Sequence, residues 1–321
     1  MNVIDMSNPY YGIRGDKFRE LIRNILSLGK MKKHYIDMIT DEEGMKMYDM
    51  AFTHYTIDEN NNYEFIELLG DSTLNKSVVW YVSRRFPELG CAQGVKILAR
   101  LKINLVSKEI FAGIATKLGL WDFISADVEI RQTKMKPLLE DVLEAFFGTT
   151  EYLLDKKMKN TIYGTGYAIC YQIISKLLDN ENISLKYEDL YDNKTRLKET
   201  LDMIRAKIRK EKDQVTYQYN PHSKQLVYVK SNTLLFDYLT SISEIICEST
   251  RNDTTSITNI YVNINTLTKS GIASSHKIYI GSGNASLKPK SEQNACGEAL
   301  TLLRKWGIIK PVPEIYKSIS N

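Results

Sequence analysis

The segment YEFIELLGDS, residues 63–72, sets a strict condition on any fold this chain can adopt. It carries Glu64, Glu67 and Asp71 at spacings of three and four, among Phe65, Ile66, Leu68 and Leu69. On a helix turning about 100° per residue, the three carboxylates fall within roughly 60° of one another. Like charges so spaced weaken a helix by about 0.2–0.5 kcal/mol per pair. A helix apolar on its other sides is buried, so its acids need a compensating positive charge. The pattern returns in LLEDVLEAFFG, residues 138–148, where Asp141 and Glu144 stand one turn apart among Leu138, Leu139, Val142, Leu143, Ala145 and Phe146. Two such helices side by side make an oxygen-rich, negative pocket suited to a hard divalent cation such as Mg²⁺.

The chain's 321 residues allow one large domain or two ordinary ones. No apolar run reaches the length of a membrane span, and residues 1–10 lack the basic start and apolar centre of a signal peptide. Cys91, Cys170, Cys247 and Cys296 are far apart with no CxxC pair. That spacing argues against a zinc site or disulfide framework and for an intracellular, cytoplasmic or nuclear setting. Charge is distributed unevenly. Residues 1–155 hold 19 basic and 23 acidic residues, a net of −4, while residues 156–321 hold 24 and 16, a net of +8. An acidic, metal-binding first part followed by a basic part that meets a polyanion fits this division.

Up to about residue 180 the apolar spacing is almost entirely helical, with helices expected at 16–28, 32–39, 43–53, from 63 to Phe86-Pro87, 96–117, from Pro137 to about 154, and 167–178. Residues 194–210 form a further basic amphipathic helix. Strands are expected at 215–219 and 226–229 around the turn Asn220-Pro221-His222-Ser223, and again at 260–264 and 277–280. Leu234 to Cys247 fits a helix, the polar run 249–259 a loop, and residues 291–306 a closing helix entered through Lys288-Pro289-Lys290.

These residues resemble the ribonuclease III family. YEFIELLGDS is similar to the family signature ERLEFLGDS, FTHYT at 52–56 to its LTHRS element, and LLEDVLEAFFGTTEYLLD at 138–155 to ILADxxEALIGAxYLD. Further on, NKTRLKETL at 193–201, GSG at 281–283 and KPKSEQNACGEAL at 288–300 resemble the double-stranded RNA-binding domain that follows in many members. Asn220-Pro221-His222 is similar to that domain's GPxH loop. Phe65, Leu68 and Glu140 depart from the family's Arg, Phe and Ala.

The resemblance implies an all-α ribonuclease III endonuclease domain followed by an α+β (α-β-β-β-α) double-stranded RNA-binding domain with an insertion. The expected layout is an N-terminal helical extension at 1–34, the catalytic domain at 35–180, a linker at 181–192, the RNA-binding domain at 193–310 with its insertion near 231–259, and a tail at 311–321. It further implies a homodimeric, Mg²⁺-dependent endoribonuclease, with Mn²⁺ able to substitute, that cuts double-stranded RNA and leaves 5′-phosphate and 3′-hydroxyl ends. Residue by residue, Glu64, Asp71, Asp141 and Glu144 match the metal ligands, with Asp71 and Glu144 as the catalytic pair. Glu67 matches a supporting or dimer-interface acid. Arg196, Lys198, Glu199, His222, Lys288 and Lys290 are the expected RNA contacts, and His54 a structural hydrogen-bonding residue. The rival expectation is a non-catalytic protein that shields or scaffolds duplex RNA on a ribonuclease III fold.

Overall fold

The computed structural model describes residues 9–158, 164–210, 217–229 and 234–319, and the chain divides into two compact units, Met1–Ile183 and Ser184–Asn321. The expected strand residues Val215 and Thr216 lie outside the described residues.

The first unit is helical. Its elements are β1 (Pro9–Tyr10), α1 (Asp16–Ser27), α2 (Lys33–Ile39), α3 (Glu42–Ala51), α4 (Glu64–Arg85), α5 (Val95–Leu105), α6 (Lys108–Lys117), β2 (Ala126–Asp127), α7 (Val128–Thr133), α8 (Met135–Lys157) and α9 (Thr165–Leu178). Local chemistry sets several ends. The Asp41 carboxylate caps α3 by accepting the Gly44 N–H at 2.8 Å. Pro137 sits in the first turn of α8, where a missing N–H leaves no helical bond unmade. α4 stops before Pro87, whose ring disfavours helical backbone at Phe86.

α8 is the central rod. Leu138, Leu139, Val142, Leu143, Ala145, Phe146, Phe147, Leu153 and Leu154 are all buried, and α3, α4, α6 and α9 pack around them. α1, within the segment 1–34 expected as an N-terminal helical extension, packs into the core of this unit; residues 1–8 of that segment lie outside the described residues. Phe18, Ile22 and Leu26 are buried, Phe18 packs edge-on against Phe52 at 5.0 Å, and β1 pairs with β2. Its apolar stripe needs a core to cover it, and the unit supplies one.

The second unit holds α10 (Tyr187–Leu190), α11 (Asn193–Lys210), β3 (Tyr217–Asn220), β4 (Gln225–Tyr228), β5 (Asp237–Ile242), β6 (Ile246–Asn252), β7 (Thr255–Leu267), β8 (Ala273–Ala285), α12 (Lys288–Lys305) and α13 (Glu314–Ile319). All pairings among its described strands are antiparallel. β8 runs along one side of β7, while β5 and β6 lie end to end along the other. The hairpin β3–β4 extends the sheet beyond β5. Every second residue of β7 from Ser256 to Thr266 is buried, and Ile260, Val262 and Ile264 join Leu197, Leu201, Ile204, Ala295, Leu300 and Leu303 in one core.

Among the described residues six strands stand between α11 and α12, where the alternation of residues gave four and the family frame three. The stretch 231–259, expected to be an insertion, contains β5, β6 and the start of β7. Leu234 to Cys247 is not helical. A register shift between Leu239 and Ser241, and the break between β5 and β6, move the apolar positions out of strict alternation. That irregular spacing imitates a helical period.

The expected linker and the described part of the expected tail, up to Ile319, are also structured. Tyr187 and Leu190 are buried, and Tyr316 is 4% exposed. Tyr316 packs edge-on against Tyr187 at 5.2 Å, and its hydroxyl donates to the Tyr191 hydroxyl at 3.1 Å. Tyr187 in turn donates to Glu199, which also accepts from Lys310. Tyr316→Ala is expected to destabilise this unit by about 3 kcal/mol, read as a lower denaturant midpoint with an unchanged slope.

Candidate active site

The acids come together because two helices meet at glycines. A Cβ added at Gly70 of α4 would lie 1.8 Å from the Glu144 carbonyl oxygen, and one at Gly148 of α8 would lie 2.1 Å from the Ile66 carbonyl oxygen. Only hydrogen fits at either position, so the backbones touch and their neighbouring side chains converge. Glu67, one turn before Gly70, then faces Asp141 and Glu144. One carboxylate oxygen from each of the three lies within 4.8 Å of the others.

Burial and mutual repulsion follow from that closeness. The Glu144 carboxyl is pushed up to about 9, first by burial and then by Asp71, Glu140, Glu67 and Asp141. Glu67 is raised to about 7 by burial and then by Asp141, Glu64 and the other acids. Asp141 rises to about 6, again mainly through burial, with the Tyr63 hydrogen bond pulling the other way. The Tyr63 hydroxyl donates to Asp141 Oδ2 at 3.2 Å. Asn75 Nδ2 donates to Asp71 Oδ1 at 2.5 Å, and Lys108 pairs with Glu140 at 2.9 Å. Three crowded, half-desolvated carboxylates are poorly stable as anions by themselves and well matched to a hard cation with oxygen ligands.

The sequence expectations fare unevenly here. Asp141 and Glu144 stand in the cluster, and Asp71 is close enough to be the strongest charge acting on Glu144. Glu64 and Glu67 are placed differently. Glu64, expected as a ligand, is exposed at the first residue of α4 and outside the convergent group, whereas Glu67, expected as a supporting acid, is within it. Spacing from Asp71 does not distinguish the two positions; the approach direction of α8 brings Glu67, and not Glu64, into the cluster. Glu140 is tied to Lys108.

The second unit divides the expected RNA contacts. Lys198, Lys288 and Lys290 are exposed, the last two at the start of α12. Arg196 and Glu199 instead belong to the unit's own packing. The Arg196 side chain is 12% exposed, sits over the Tyr187 ring and approaches Glu188, while Glu199 binds Tyr187 and Lys310. His222 is exposed in the β3–β4 turn, joined through β5 to the Leu267 end of β7. The start of α12 adjoins the opposite end, where Thr258 and Ser291 hydroxyls meet at 2.7 Å and Ser256 pairs with Ala285. Those ends are about 40 Å apart along the strand. The turn at the Lys288 end joins β6 to β7, around Asn252 and Thr255. The polar run 249–259, expected as a loop, holds this turn together with the strand residues on either side of it.

The sequence profile described as Ribonuclease III domain matches residues 64–153. A provisionally named ribonuclease 3 of Invertebrate iridescent virus 6 is 35% identical over 324 residues, covering 98% of this chain and 97% of that protein. One of the same provisional name from Frog virus 3 is 37% identical over 174 residues, covering 54% of this chain and 46% of that one. Ribonuclease 3 of Lactobacillus acidophilus is 30% identical over 183 residues, covering 54% of this chain and 72% of the bacterial protein. With its acids converging inside the matched segment, the chain belongs to the ribonuclease III family.

Proposed function

We propose that this chain is an endoribonuclease that hydrolyses double-stranded RNA with Mg²⁺ or Mn²⁺, leaving 5′-phosphate and 3′-hydroxyl ends. The observation that carries this is the convergence of Glu67, Asp141 and Glu144 at the α4–α8 crossing. Their all-carboxylate donor set, with Asp71 beside it, fits a hard divalent cation. Such a cation supplies the positive charge and water activation that phosphodiester hydrolysis requires. The chain's own part is to hold that charge in place. Glu67 and Asp71 come from α4, Asp141 and Glu144 from α8, and Asn75 fixes the Asp71 carboxylate.

Lys288 and Lys290 at the exposed start of α12, with Lys198, support a reading of the second unit as a duplex-RNA-binding module. Lysines at a helix start suit phosphates recognised by shape. α11, the lanes formed by β5–β6, β7 and β8, and α12 would be its α-β-β-β-α frame, with the β3–β4 hairpin as the added piece. Phe65 and Leu68, 70% and 67% exposed on α4 beside the acids, are consistent with a second copy of the chain covering that face. A mass measurement in solution tests the dimer.

The shielding alternative predicts duplex binding without cutting. Crowded acids that repel one another give a purely binding protein no advantage, which favours the enzyme. Incubating the purified protein with a long RNA duplex in Mg²⁺ and then in EDTA separates the two. Cleavage that EDTA stops is expected, and binding without cleavage in both Mg²⁺ and Mn²⁺ would support the shield. Paired variants test the ligand assignment. Glu67→Gln should raise the Mg²⁺ concentration needed for cleavage by about 10–100-fold, and Glu64→Gln should leave it near wild type. The reverse order would restore Glu64 as the ligand.

A further inference from the structure

We propose that Tyr63 is a positioning residue that locks the acids of α4 and α8 into one geometry; this rests on the metal-dependent reading above. Tyr63 immediately precedes α4 and is 2% exposed. Its carbonyl oxygen accepts the Glu67 N–H at 2.8 Å, while its hydroxyl donates to Asp141 Oδ2 at 3.2 Å. One residue therefore grips the backbone of the acid on the first helix and the side chain of an acid on the second. A phenol can donate only one proton, so it occupies one site on Oδ2 and leaves Oδ1 free for an ion.

Tyr63 is itself held from behind. Its N–H donates to the Thr53 carbonyl oxygen at 3.1 Å, and the His54 ring meets its ring edge-on at 5.7 Å. His54 Nδ1 accepts the Thr56 N–H at 3.2 Å and lies 2.8 Å from the Thr56 hydroxyl, which also accepts the Asp127 N–H at 3.3 Å. The FTHYT segment thus becomes a buttress running from β2 through Thr56, His54 and Tyr63 to Asp141. Partners that orient a carboxylate from outside the ligand set narrow its rotamers and commonly affect ion affinity by about 10–100-fold.

Tyr63→Phe keeps the ring packing and removes only the donor. The EDTA-treated full chain would be titrated with Mn²⁺ by calorimetry, alongside the Mg²⁺ dependence of duplex cleavage. The variant is expected to bind Mn²⁺ about tenfold more weakly, with the melting temperature in EDTA and the duplex affinity unchanged. Thr56→Val, which loosens the His54 ring while leaving Tyr63 intact, should shift the Mn²⁺ curve less and in the same direction. Mn²⁺ curves for Tyr63→Phe that overlay wild type would overturn the proposal. So would a lower melting temperature with unaltered ion binding, the mark of a purely structural tyrosine. A wild-type protein that takes up no Mn²⁺ would overturn the metal-dependent reading itself, whereas normal uptake by both proteins removes only the role of Tyr63.

Discussion

Glu144→Gln is expected to abolish Mg²⁺-dependent cleavage, by at least about a hundredfold, while duplex RNA binding persists. Loss of outer-shell partners costs about 10–100-fold, so loss of the most buried acid in the cluster should reach the top of that range. The change keeps the side chain's size and removes its charge. The same variant should be more stable than wild type without metal. Glu144 is raised to about 9 and Glu67 to about 7, above their ordinary values. For a carboxyl raised by folding, the stabilising contribution is complete below its unfolded value, about 4.3 for glutamate. It is lost as pH rises towards the folded one. Wild-type protein in EDTA should therefore melt progressively lower from about pH 5 to pH 9. Glu144→Gln should lose less over that range, gaining about 2–4 °C for each kcal/mol of repulsion removed. Added Mg²⁺ should reverse the order by stabilising wild type alone. A variant that melts lower than wild type in EDTA at pH 8 would mean that the acids are compensated by something other than an ion.

Gly148→Ala is expected to damage both fold and site. In an exposed helix the substitution stabilises by about 1 kcal/mol. Here the new methyl group would sit 2.1 Å from the Ile66 carbonyl oxygen and 2.9 Å from the Gly70 nitrogen. Backbone cannot retreat as a flexible side chain can, so the helices must separate, at a cost of about 3 kcal/mol. Separation carries Glu67 away from Asp141 and Glu144, so ion binding should fall with stability. Gly113→Ala is the control. It lies on α6 with nothing within 4 Å of an added Cβ, and should be neutral or mildly stabilising. Equal melting temperatures for the two variants would show that the crossing is not a tight backbone contact.

How much of this was legible in advance differs between the two units. The helices of the first carry long apolar stripes, and a period of 3.6 is hard to imitate over twelve or more residues. α1, α4, α8 and α9 were therefore visible from composition and spacing alone. The strands of the second unit are short, and the β5 bulge disturbs their alternation. Leu234–Cys247 consequently passed for helix, and β6 for loop. The likeness around His222 spans three residues, and its turn stands on a different hairpin from the one beside α12.

By itself the sequence determined that Glu64, Glu67, Asp71, Asp141 and Glu144 lie on two largely apolar helices and need a positive partner, because charge and helical period are local properties. It also carried the family signature. Only the tertiary structure decided which acids meet. Glu64 and Glu67 are one turn apart on the same helix face, and only Glu67 points where α8 crosses. That crossing is set by Gly70 against Gly148, two residues 78 positions apart whose contact no local pattern announces. The same holds for Tyr63. A buried tyrosine before a helix is ordinary in sequence, and its bond to Asp141 exists only once α8 has been placed beside it.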